Sequence, residues 1–125
     1  MLKPVVYGRF YYFCAYTIMA IILCIESATP ICSIALVQNG AVIGLLETDI
    51  LQSHAASLMK FIQDVLVSAG LSVSAIDAVA VSKGPGSYTG LRIGVSTAKG
   101  LCFALDKPLI GIETLKSMAI GMIKT

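Results

Sequence analysis

Short apolar runs separated by turn residues, together with longer segments of helical spacing, organise the chain from residue 21 onward. Ile21-Ile22-Leu23-Cys24-Ile25 is continuously apolar, as a strand buried on both faces of a sheet must be. Glu26 to Pro30 is a polar turn, and Ile31 to Val37 reads as a second strand. Gln38-Asn39-Gly40 is a hairpin signal of the Asn-Gly kind, returning the chain as a third strand over Ala41 to Glu47. From Gln52 or Ser53 the period changes. Ala55, Leu58, Met59, Ile62, Val65, Leu66 and Ala69 recur at helical spacing, with Phe61 flanking this stripe and Val67 off it. Gly70 stands where such a helix ends.

After a linker from Ser72 to Asp77, Val79-Ala80-Val81 predicts a buried strand. The loop Lys83-Gly84-Pro85-Gly86-Ser87 cannot continue it, because proline lacks an N–H and glycine favours positive φ. A long helix then begins between Ser87 and Thr89, either of which could cap its free N–H groups. Lys107-Pro108 leads to a last strand, Leu109 to Ile112, and Thr114 caps a final helix that still runs at Thr125. The order is βββαβαβα, which predicts an α/β fold with a mixed five-stranded sheet. A meander followed by right-handed crossovers describes one lobe of the ribonuclease-H-like, actin-like ATPase architecture. Such lobes usually come in pairs, and residues 19–125 supply one of them.

The long helix is apolar on more than one side. At about 100° per residue, Leu91, Val95, Ala98, Cys102 and Leu105 form a stripe suited to a sheet. Gly90, Ile93, Gly94, Thr97, Leu101 and Ala104 form a second arc lined with small residues, leaving Arg92, Ser96, Lys99 and Phe103 outward. One stripe is enough for a helix lying on a sheet. The second is expected to meet another helix, either of this lobe or of a partner. The residues expected at a partner interface are therefore Phe61, Gly90, Ile93, Gly94, Thr97 and Leu101.

Strand, glycine turn and helix can together hold an anion at a helix N-terminus. Gly84, Gly86, Ser87 and Thr89 are the candidate cofactor-binding residues on that ground. The pattern departs from a P-loop, since Gly90 is followed by Leu91 and Arg92 rather than Lys and Ser or Thr. It departs from G-x-G-x-x-G as well, because Thr89 occupies the third glycine position. The alternative reading is a tight turn with close packing.

Composition narrows the chemistry. The chain is 57% hydrophobic and 13% charged, unusually apolar for a single domain of 125 residues. Part of the excess is Phe10 to Ile25, 16 residues without a charge, too short for a membrane span. It resembles a signal peptide, but Ile21 to Ile25 is needed as the first strand, and Met19-Ala20 reads as a natural start. Residues 1–18 are expected to be an upstream extension. Lys and Arg number nine against seven Asp and Glu, and without Lys3 and Arg9 the balance is seven to seven. No basic stripe exists to bind nucleic acid unaided. Cys14, Cys24, Cys32 and Cys102 have no metal-ligand spacing, and His54 is the single histidine, so no metal site is expected. Glu26, Asp77 and Glu113 are isolated carboxylates without a nearby base or nucleophile, which leaves peptidase chemistry no footing.

Four stretches read together carry a resemblance: ILCIESATPICSIAL, SHAASL, AVSKGPGSYTGLRIGVSTAKGL and KPLIGIETLKSMA. They are similar to the TsaB (YeaZ) family of bacterial tRNA threonylcarbamoyladenosine biosynthesis proteins, often labelled glycoprotease-like. GPGSYTGLRIG is the most specific segment, and the likeness spans residues 19–125. Glu26 stands where many members have Asp, and the family's second lobe has no counterpart here. The resemblance implies a cytoplasmic, non-catalytic subunit without a cofactor of its own. It would pair through helices of this lobe with the catalytic paralogue TsaD or with a second copy, the ATPase TsaE would join, and tRNA would be met only through the complex. It implies that TsaD places a His-x-x-x-His metal pair where Thr114 and Met118 stand here. The competing class is an actin-like nucleotide-binding phosphotransferase or hydrolase using the 84–90 loop. A third is a protein tethered to a membrane by residues 1–25.

Overall fold

The computed structural model describes residues 20–49 and 55–124; the expectations for residues 1–18, the opening of the first helix at Gln52 or Ser53, His54 and Thr125 lie outside them. The strands are β1 (Ile21–Glu26), β2 (Ile31–Gln38), β3 (Ala41–Asp49), β4 (Ala78–Gly84) and β5 (Leu109–Glu113). The helices are α1 (Ala55–Ser68), α2 (Tyr88–Leu105) and α3 (Thr114–Lys124). The sheet runs β3-β2-β1-β4-β5, with β1–β2 and β2–β3 antiparallel and β1–β4 and β4–β5 parallel. This is the mixed α/β arrangement expected of an actin-like lobe.

β1 lies at the centre, which explains its unbroken apolar run: Ile21 to Ile25 are all buried. Its side chains alternate between two clusters. Leu23 and Ile25 join Ile34, Leu36, Val79, Val81 and the inner faces of α1 and α2, including Leu58, Ile62, Ala98 and Leu101. Ile22 and Cys24 join Ala35, Val37, Ala78, Ala80 and Ile112 on the opposite face.

Turns follow their residue chemistry. Asn39 and Gly40 both take positive φ, 53° and 76°, as a type I′ hairpin requires. α1 ends in a Schellman motif, with Leu71 N–H donating to Leu66 O at 2.9 Å and Gly70 N–H to Val67 O at 3.0 Å. Asp77 clamps the entry to the sheet: its carboxylate accepts Ile21 N–H at 2.8 Å, and its own N–H donates to Ile21 O at 2.8 Å.

The structure differs from the sequence expectations at several places. The 72–77 linker contains one 3-10 turn, Val73–Ala75. β4 continues through Lys83 and Gly84 into the supposed breaker, because Gly84 still pairs with Glu113 after a shift of register. Thr114 is the first residue of α3 rather than a working cap, and among the described residues its hydroxyl has no hydrogen-bond partner. α3 itself is turned inside out relative to an ordinary amphipathic helix. Thr114, Ser117 and Gly121 are buried, whereas Leu115 (64% exposed), Met118, Met122 (77%) and Ile123 face outward.

Candidate functional site

The parallel strands β1, β4 and β5 end on one edge of the sheet, carrying Glu26, Ser82 to Gly84 and Glu113. Such edges are where open α/β sheets bind ligands. Here Glu26 and Ser82 are spent on one another. Glu26 accepts Ala28 N–H at 2.8 Å through one carboxylate oxygen and the Ser82 hydroxyl through the other. A carboxylate holding two donors ties the β1–β2 turn to β4 with charge-assisted bonds.

The glycine loop sits on the same turn. Ser87 N–H donates to Ala28 O at 2.8 Å, and Ser87 Oγ caps α2 by accepting Gly90 N–H at 3.3 Å. A Cβ on Gly86 would lie 2.6 Å from Ala28 O, so only glycine permits this approach. Gly84 takes a φ of 114°, and Thr89 is exposed on the first turn of α2. The four cofactor candidates are thus brought to one corner, with the N–H groups of Ser87 and Gly90 already paired within the chain. Gly86, Ser87 and Thr89 are exposed there and Gly84 is half-buried. On the outer side of the corner, the Arg92 guanidinium lies 5.5 Å from the centroid of the exposed Tyr88 ring, a cation–π pair.

Burial and the neighbouring Glu26 charge push the Cys32 thiol up to about 11, and burial raises that of Cys102 as well. Cys24, Cys32 and Cys102 are buried thiols outside any disulfide, behaving as small core residues. Among the described residues no group of three or more His, Cys, Asp or Glu is placed to hold a metal ion. No helix among them is long and apolar enough to cross a membrane.

The residues expected at a partner interface differ in burial. Gly90, Gly94, Thr97 and Leu101 are buried within the chain itself. A Cβ on Gly94 would overlap Ser27 Oγ, come within 3.1 Å of Ser27 Cβ and reach Ile25 Cγ2 at 3.6 Å. The small-residue arc therefore lets α2 settle against the end of β1, and the buried face of α2 is centred between the two stripes. Phe61 and Ile93 are half-buried and pack against the main core.

The outer surface carries different residues. Phe103 is 92% exposed on α2 and Val67 76% exposed on α1. Ser96, Gly100 and Ala104 are exposed at four-residue spacing, so they line one stripe of α2. A Cβ built on Gly100 meets nothing within 4 Å. Sequence reasoning missed Gly100, although a glycine midway through an unbroken helix, with small residues one turn to either side, was signal enough.

Comparison with known proteins adds the family. The model of TsaD, tRNA N6-adenosine threonylcarbamoyltransferase, matches residues 41–124. The tRNA threonylcarbamoyladenosine biosynthesis protein TsaB of Escherichia coli strain K12 is 41% identical over 100 residues, covering 80% of this chain and 43% of that protein. A tRNA N6-adenosine threonylcarbamoyltransferase of Koribacter versatilis is 36% identical over 113 residues, covering 78% and 30% respectively. Among solved structures, YeaZ from Pseudomonas aeruginosa superposes with a TM-score of 0.69 at 36% identity, over 76% of this chain and 44% of that one. The chain thus spans less than half the length of these relatives. With a family model matching two-thirds of its residues and relatives 36–41% identical to it in sequence and in solved structure, the chain belongs to the TsaD/TsaB (YeaZ) family of tRNA threonylcarbamoyladenosine biosynthesis proteins.

Proposed function

We propose that this chain serves threonylcarbamoyladenosine synthesis in tRNA as a non-catalytic partner subunit, binding a catalytic paralogue of the TsaD kind through the outer surface of α1 and α2. Gly100 carries this reading. A glycine inside a helix costs about 1 kcal/mol relative to alanine, and a Cβ here would meet nothing within 4 Å among the described residues. The backbone of a partner helix would use that opening, with exposed Phe103 beside it as an apolar anchor. The non-catalytic role is supported by Thr114 and Met118, neither of which offers the imidazole that the resemblance assigns to those positions in TsaD. The paired donors of the glycine loop weigh against nucleotide chemistry there. Within this reading tRNA and the ATPase TsaE are met through the complex, in the cytoplasm, and a second copy of the chain competes for the same helical surface.

The test is Gly100→Leu, mixed with a TsaD relative and followed by analytical ultracentrifugation beside thermal melting. Loss of association with an unchanged or higher melting temperature is expected. Normal association overturns the interface. Threonylcarbamoyl transfer by the chain alone, with no paralogue added, overturns the non-catalytic role.

A further inference from the structure

No further inference is drawn: the strongest candidate, the outward apolar stripe of α3 formed by Leu115, Met118, Met122 and Ile123, is an exposed helix face, and nothing in the structure says what covers it.

Discussion

Two glycines of α2, Gly94 and Gly100, share one helix and one intrinsic propensity but stand in opposite surroundings, which makes their alanine variants a controlled pair. Replacing either gains about 1 kcal/mol from helix propensity. At Gly100 the new methyl meets nothing within 4 Å, so Gly100→Ala keeps that gain. At Gly94 it overlaps Ser27 Oγ, and Ser27 is fully buried, with no route for its hydroxyl into solvent. Overpacking of this kind costs about 1–3 kcal/mol. The expected net loss for Gly94→Ala is therefore up to about 2 kcal/mol, centred near 1. For a domain of this size each kcal/mol moves the melting temperature by about 4 °C. Calorimetry should find Gly100→Ala several degrees above the parent and Gly94→Ala below it. Ser27→Gly in the Gly94→Ala background should recover much of the loss, because it removes the overlapped atoms. Equal shifts of the same sign for the two alanines, or no recovery in the double variant, would refute the packing argument.

Glu26→Ala should destabilise by about 2–3 kcal/mol in urea melts, since two charge-assisted bonds are lost and the buried Ser82 hydroxyl is stranded. Asp106 holds the left-handed C-cap of α2 at φ 54° and ψ 49°, so Asp106→Gly should raise stability by about 0.5–1 kcal/mol, read as a higher melting temperature. Cys32 keeps its proton in the fold up to about pH 11 but in the unfolded chain only to about 9. Its contribution is therefore intact below pH 9 and declines between pH 9 and 11, by at most about 1.4 kcal/mol per unit. Cys32→Ala should flatten that decline in pH-dependent melts, and an unaltered slope would assign it to another group.

Much of the fold is legible because its signals are local. Ile21 to Ile25 is apolar on both faces because β1 is the central strand, and the 3.6-residue stripe of α1 points to the one core available to it. Asn39-Gly40 and Gly70 act through backbone geometry that the residues themselves dictate. The site is less legible because its meaning lies in pairs far apart in sequence. Gly94 reads as small for the sake of a partner until Ser27, on another element, is found against it. Glu26 reads as isolated until Ser82, 56 positions away, is found on its carboxylate. A sheet-packed helix wedged between the end of β1 and its neighbour needs small residues as much as a dimer interface does. Periodicity alone cannot tell these two apart.

Four of the five glycines of the 84–100 stretch then separate by their surroundings. Gly84 is required by a φ of 114°, Gly86 by the approach of Ala28, and Gly94 by the approach of Ser27. Each has a structural cause inside the chain, and substitution at any of them tests folding. Gly100 has none. Its backbone is ordinary helix, its surroundings are open, and alanine there would be more favourable by about 1 kcal/mol. On the proposed interface, the stability forgone there leaves room for a partner helix. That is why the interaction test falls on Gly100, while Gly94, buried on the same helix, serves as its folding control.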